Sequence, residues 1–356
     1  MKAWMLEKPG GRFGLETLEM PEATPGSVIV DMKATPLLSY TRTYLNGDMP
    51  YAYPDRPFIP GTNGVGIVKA VGASVDHVKP GDRVLTDPYL KSAAPVADPA
   101  QILIGLTGIS PDSDPMLHDW ADGTWTQIAR FPASTVFRAD GLDAHDDEAL
   151  STIAKFIVPF GGLRKGGFGP GQILVVHGAT GYFGSAAVLL GLALGAEKVI
   201  ATGRSIGTLQ ALAETAGDRV VPVAMTGDVE QDAAAIKDAA GGPIHMAYDM
   251  VGGASSANGT LAALTSLSRG GILVLMGSMT VPLPLPYGEV LLNNWRIAGN
   301  FMYTVEDYLN LISLIRAGHL DLSLVKIKSF AFEDIETAID ATGKLRGLEN
   351  VTLLVD

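Results

Sequence analysis

The segment His177-Gly178-Ala179-Thr180-Gly181-Tyr182-Phe183-Gly184 holds, in one short turn, what a pyrophosphate asks of a polypeptide backbone. Before it, Ile173-Leu174-Val175-Val176 is apolar without alternation, as a parallel strand covered on both faces must be. After it, an alanine- and leucine-rich stretch reads as a buried helix. Gly181 allows close approach of backbone to phosphate, and Gly184 allows the helix to pack on the strand. The amides that open the helix then face the anion, and the helix dipole adds to their pull. Ala179 stands where the first glycine of the usual G-x-G-x-x-G would be. Ala179, Thr180, Gly181, Tyr182, Phe183 and Gly184 are therefore candidate dinucleotide-binding residues; a tight strand–helix turn without ligand is the alternative.

The end of the next strand discriminates between nucleotides. An Asp or Glu there would bond the ribose 2′-hydroxyl of NAD. This chain reads Ala201-Thr202-Gly203-Arg204-Ser205, with no acid. Arg204 and Ser205, beside Gly203, can instead hold a 2′-phosphate through charge-assisted hydrogen bonds, which favours NADP(H) over NAD(H). A solvated loop arginine is the competing reading. Two later strand ends, Asp249-Met250-Val251-Gly252 and Met276-Gly277-Ser278, should complete the crevice. Val251, Gly277 and Ser278 are candidates to meet the nicotinamide carboxamide with backbone groups, while Asp249 reads as a structural or capping acid.

The elements that must position these residues divide the chain in two. From residue 171 onward strands alternate with helices, which implies a doubly wound parallel sheet. Strands are expected at Ile173–His177, Val199–Thr202, Val220–Val223, His245–Asp249 and Ile272–Met276, with helices at Gly184–Gly195, Ile206–Thr215, Val229–Ala240 and Ala257–Leu267. The first third is β-rich, with short apolar runs bounded by glycine and proline, and Leu90–Asp119 reads as a long irregular loop. Because the tail after Val305 suits the β-rich part better, that domain is expected to be discontinuous, spanning 1–152 and 304–356 around a nucleotide domain at 153–303.

Composition narrows the function classes. A net charge of −12 with no basic run argues against a nucleic-acid partner. No cysteine is present, which removes disulfides, thiolate nucleophiles and sulfur-ligated zinc. Residues 1–10 lack the apolar core of a secretory signal, and no apolar run is long enough for a membrane span. A cytoplasmic enzyme acting on a small molecule is the expectation.

With these motifs in hand, the sequence resembles the medium-chain dehydrogenase/reductase superfamily over nearly its full length. Pro60-Gly61-Thr62-Asn63-Gly64-Val65-Gly66, followed by Pro80-Gly81-Asp82-Arg83-Val84, is similar to the family's N-terminal signature, and Asp122-Gly123-Thr124-Trp125-Thr126-Gln127 to its strand leading toward the nucleotide domain. The His177–Gly181 turn resembles the quinone-oxidoreductase branch more than the zinc alcohol-dehydrogenase branch. The resemblance implies a GroES-like β-rich catalytic domain joined to a Rossmann doubly wound parallel-sheet domain. It also implies that Asn300, Phe301 and Met302 line the nicotinamide pocket.

The departures from the family bear on mechanism. By the resemblance, the catalytic metal ligands of zinc members fall on Leu38, on Thr62-Asn63 and near Ile153 or Ala154, and a four-cysteine structural lobe is missing. None of these can hold zinc in a tetrahedral N, S or O array. A zinc-independent enzyme must stabilise developing negative charge otherwise, or use a substrate that delocalises it. Quinones and α,β-unsaturated carbonyls do so. Tyr40 falls where zinc members carry the hydroxyl of their proton relay, and is the catalytic candidate: a phenol that donates a proton, or one that only lines a pocket wall. Arg42, Thr43 and Tyr44 read as structural, Tyr51 and Tyr53 as shaping an entrance, and Lys155 as a solvated or snorkelling lysine. Three functions follow: an NADPH-dependent quinone or enone reductase; a zinc-independent NADP-dependent alcohol dehydrogenase or ketone reductase using Tyr40; and a non-catalytic nucleotide-binding protein. The alternating prolines of Val281-Pro282-Leu283-Pro284-Leu285-Pro286 read as a one-sided edge strand, and the resemblance puts a homodimer joint there.

Overall fold

A computed structural model describes residues 1–356, which form two compact units. The first comprises 1–154, 325–345 and 350–356; the second comprises 155–324 and 346–349. No helix is long and apolar enough to cross a membrane.

The spine of the first unit is the strand Ser27–Leu37, antiparallel to Gly64–Val71, Ile128–Pro132 and the C-terminal strand Glu349–Leu354. Its side chains are buried almost without alternation, because it is central and covered on both faces. A seven-stranded sheet results, and the C-terminal tail contributes both Glu349–Leu354 and Lys326–Ala331 to it. The stretch expected to be an irregular loop is ordered instead. Tyr89–Lys91, Gln101–Leu103 and Thr107–Gly108 make a small sheet of their own, and Asp114–Asp119 is a helix with Pro115 in its first turn. Strands this short carry too few residues for an alternating pattern to register.

The second unit holds a six-stranded parallel sheet in the order Val220–Ala224, Lys198–Gly203, Ile173–His177, Ile244–Asp249, Ile272–Leu275, Arg296–Gly299. The order reverses between Ile173–His177 and Ile244–Asp249, where a crevice opens at the carboxyl ends of the strands. Core residues such as Val175, Ile200, Ala247 and Leu273 are fully buried. The helix Tyr182–Ala193 is apolar nearly all round, as a helix buried against such a sheet must be.

Two expectations need correction. Residues 305–316 form a helix that clusters with the nucleotide unit rather than the β-rich one. Thr304 and Asp307 cap it reciprocally, and Arg164 reaches Glu306 and Asp307 at 3.4 Å, fastening it to the helix Ile153–Gly166. Val281–Pro286 is not a strand; it pairs with no ladder, and the sheet's edge is Arg296–Gly299.

Candidate functional site

Backbone hydrogen bonds shape the Gly-rich turn. Gly178 has φ +83°, a conformation open to glycine, and its N–H donates to Thr202 O at 3.1 Å. The residue that demands glycine is thus Gly178, one position before the motif's usual first glycine. That is why Ala179, whose N–H also donates to Thr202 O at 3.0 Å, is tolerated. Gly181 stands at the N-cap of the helix and gives its first amides no side-chain bond. A Cβ on Gly184 would overlap the Gly178 carbonyl, so this glycine sets how closely helix and turn can pack.

In front of the turn lies a groove of about 640 Å³, a volume typical of ligand sites. It brings together Thr180, Gly181, Gly203, Arg204 and Val251 from the expected set. Arg204 is exposed at the end of its strand and forms no ion pair. The acid in the groove wall, Asp232, is turned inward: it is 1% exposed and accepts from Thr226 N, Thr226 Oγ1 and Gly227 N. It therefore spends its charge on the loop and leaves Arg204 unneutralised. Ser205 caps the helix Ile206–Ala216, accepting from the Thr208 hydroxyl at 3.0 Å, which leaves its own proton to give.

The other expected residues lie behind the groove or beside it. Ala179, Tyr182 and Gly184 are buried in the turn's packing, and Phe183 stacks edge-on against Tyr182. Gly277 and Ser278 approach Val251 from the neighbouring strand end: Ser278 N donates to Val251 O at 3.1 Å. Asn300 braces its own turn by donating to Met302 O at 2.8 Å, Met302 is buried in a left-handed conformation, and Phe301 is exposed. Asp249 is structural, its carboxylate accepting from Val251 N and the Thr260 hydroxyl.

Sequence reasoning missed His177 and the segment around Asn258 as groove walls. The His177 ring shares a 3.0 Å hydrogen bond with the Thr202 hydroxyl. Burial pushes its pKa below the usual imidazole range against the pull of Asp249 and Asp232, so it is neutral. The signal available was its place as the last residue of the strand before the turn. Lys155 was also misread. It is fully buried, donating to Gly347 O at 2.9 Å and Glu349 O at 3.4 Å, with its ammonium 3.7 Å from the Tyr182 ring centre. Burial pulls its pKa down to about 7.

In the first unit, Tyr40 caps the short helix Thr41–Leu45 and lines a cavity of about 20 Å³ with Leu38, Thr62 and Trp125. Tyr40 is hydrogen-bonded to Tyr51, Tyr53 donates to Tyr44 O at 2.7 Å, and Tyr44 donates to Leu106 O at 2.7 Å. Burial raises the Tyr44 and Tyr51 pKa values and pushes Tyr53 up to about 12, so these phenols keep their protons. Arg42 is structural, paired with Glu336 and Asp340 at 2.8 Å.

The residues do not fit a zinc ion. Leu38 and Ala154 are hydrocarbon, and the Asn63 amide is turned to Thr86 O at 3.4 Å. No three His, Cys, Asp or Glu side chains group in a way that could hold a metal.

Residues 24–141 match the family described as alcohol dehydrogenase GroES-like domain, and 183–317 the family described as zinc-binding dehydrogenase. An alcohol dehydrogenase of Geobacillus stearothermophilus is 28% identical over the full length of both chains. Among solved structures, 2R,3R-butanediol dehydrogenase from Bacillus subtilis superposes with TM-score 0.81 at 18% identity, covering 100% of this chain and 99% of its own. A provisionally assigned zinc-binding dehydrogenase from Sinorhizobium meliloti 1021, bound to NADP, superposes with TM-score 0.78 at 18% identity over 99% and 98% of the two chains. The first two carry alcohol or polyol dehydrogenase names, and the third a zinc-binding dehydrogenase name. In fold, in domain order and in its two matched families, the chain is an oxidoreductase of the medium-chain dehydrogenase/reductase superfamily.

Proposed function

We propose that the chain reduces a conjugated carbonyl, either a quinone or an α,β-unsaturated ketone or aldehyde, with NADPH and without zinc. The observation that carries the reading is the donor set at the positions where zinc members hold their metal. Leu38, Thr62, Asn63 and Ala154 leave hydrogen bonding as the means of stabilising negative charge. A conjugated substrate spreads that charge and needs less help. When bound, NADPH supplies the hydride. Arg204 and Ser205 would hold its 2′-phosphate, the amides that follow Gly181 its pyrophosphate, and the strand-end residues Val251, Gly277 and Ser278 its carboxamide. The test is a panel of quinones, enones, ketones and alcohols with each nicotinamide nucleotide, run with and without chelator. NADPH oxidation by a quinone or enone that ignores chelator supports the reading, and activity abolished by chelator overturns it.

Alcohol or ketone chemistry is the second reading, favoured by the relatives' names and by Tyr40 standing beside Thr62 with Tyr51 behind it. Tyr40 would then protonate the product alkoxide. Tyr40→Phe is expected to slow ketone reduction by about 10²-fold while leaving enone reduction within about tenfold, since an enolate can take its proton from water. Equal rates on ketones would retire Tyr40 as an acid. Nucleotide binding with no turnover on any member of the panel would leave the non-catalytic reading.

A homodimer through the nucleotide unit completes the proposal. The strand Arg296–Gly299 ends its sheet with an open edge, and nearby Leu285, Tyr287, Leu291 and Leu292 are 49%, 80%, 63% and 73% exposed. Apolar groups gathered like this beside an unpaired edge favour association. The double variant L291D/L292D is expected to halve the mass seen by light scattering. A wild-type chain that is monomeric at tens of micromolar, as an order of magnitude, removes the dimer.

A further inference from the structure

One fully buried side-chain nitrogen or oxygen in the chain lacks a hydrogen-bond partner, and it is Trp125 Nε1. The other two buried indoles are satisfied: Trp4 donates to Phe332 O at 2.9 Å and Trp295 to Ser268 O at 3.1 Å. An orphaned buried donor costs about 1–3 kcal/mol, so its retention calls for a reason. Trp125 is 3% exposed and borders the cavity of about 20 Å³ that Leu38, Tyr40 and Thr62 also line. Its nitrogen lies at the Gly61 wall, where a Cβ would stand 2.8 Å from it. An indole N–H can only donate, so the missing partner is an acceptor. The cavity admits one oxygen-sized group.

We infer that Trp125 is a catalytic residue whose Nε1–H donates to the substrate carbonyl oxygen, in the place that Leu38 and Thr62 leave without a metal. This rests on the proposed reduction. Bound NADPH would supply a hydride, whose electron pair becomes the new C–H bond at the β-carbon, and would leave as NADP⁺ while the enone's π electrons shift onto the oxygen. Trp125 keeps its proton and stabilises the enolate by hydrogen bonding. The proton that completes the product comes from water, or from Tyr40, which water then reprotonates. Donor and substrate oxygen meet in an apolar recess, where one hydrogen bond is strong because no water competes.

The test pairs turnover with a spectroscopic signature. Trp125→Phe is expected to lower kcat by about 10²-fold on an enone or quinone, with KM for NADPH and the melting temperature little changed; an unchanged kcat overturns the assignment. In the wild-type holoprotein, the indole ¹⁵N–¹H resonance of Trp125, assigned by elimination with Phe variants of the other tryptophans, is expected to move downfield as δ-valerolactam saturates. That readout stands even if Trp125→Phe does not fold or the wild type reduces nothing on the panel, a failure that would sink the proposed reduction separately. A resonance that stays put, or that keeps its contact with one bound water at saturating lactam, assigns the cavity to water alone and overturns the inference.

Discussion

Arg204→Glu is expected to weaken NADPH binding by about 10²–10³-fold while NADH binding changes by no more than a few-fold. Arg204 sits at the end of Lys198–Gly203, exposed and without an ion pair, in a groove whose one nearby acid is consumed by backbone amides. A charge-assisted hydrogen bond to a phosphate contributes roughly 1.5–3 kcal/mol, and each 1.4 kcal/mol is a factor of ten in affinity. Removing the guanidinium therefore accounts for about ten- to a hundredfold, and putting a carboxylate beside a dianion adds the rest through repulsion. Because the site is open to solvent, the NADPH penalty should shrink as salt rises, while NADH binding stays flat. Calorimetric titration of both nucleotides at two ionic strengths checks this. Equal losses for both would mean that Arg204 holds the loop rather than the phosphate, and no loss for either would end the NADP(H) assignment.

What the sequence made legible, and what it hid, follows from how far each signal reaches along the chain. The parallel sheet was visible because its inner strands are local runs of apolar residues covered on both faces, and because the turn at 178–184 has its requirements written in consecutive residues. The helix Val305–Arg316 was assigned to the wrong unit because what fastens it is Arg164, far away in sequence. The strand Arg296–Gly299 was missed altogether. It is half-buried at the edge of the sheet and has only four residues, too few to show a period. The site shows the same contrast. The place of Arg204 at the groove could be read from its offset after a strand, whereas the tyrosine cluster joins Tyr40 to Tyr51 and Tyr44 to Leu106, pairs that no spacing rule connects. Trp125 was seen only as part of a family signature, because whether a buried donor is satisfied depends on every chain segment around it.

Lys155 lies furthest from its expected place, and its burial ties stability to pH. A lysine in a helix with apolar neighbours ordinarily snorkels to water. Here the ammonium is enclosed by Tyr182 and the carbonyls of Gly347 and Glu349, with the Glu349 carboxylate the nearby charge that partly offsets burial. Its pKa falls from 10.5 to about 7. The sign is that of a base depressed by folding. Below pH 7 both folded and unfolded chains carry the proton, and stability from this group does not change. Between pH 7 and 10.5 the unfolded chain binds a proton that the folded chain has released, so stability rises with pH. Near pH 10 unfolded tyrosines begin to ionise while the buried Tyr44, Tyr182 and Tyr248, all raised by burial, do not, which works in the opposite direction. Comparing wild type with Lys155→Met cancels that contribution. From pH 7 to 9.5 the wild type should gain roughly 3 kcal/mol relative to the variant, at about 1.4 kcal/mol per pKa unit. Urea unfolding at half-unit pH steps measures this difference. Parallel profiles would mean that the carbonyl cage holds Lys155 charged throughout, so that the tie between Gly347 and the Thr180 carbonyl, bonded at 3.0 Å, carries a permanent cation behind the phosphate turn. A rising difference would mean instead that the turn is backed by a neutral amine above pH 7, leaving Arg204 and the helix amides as the positive potential that an incoming nucleotide meets.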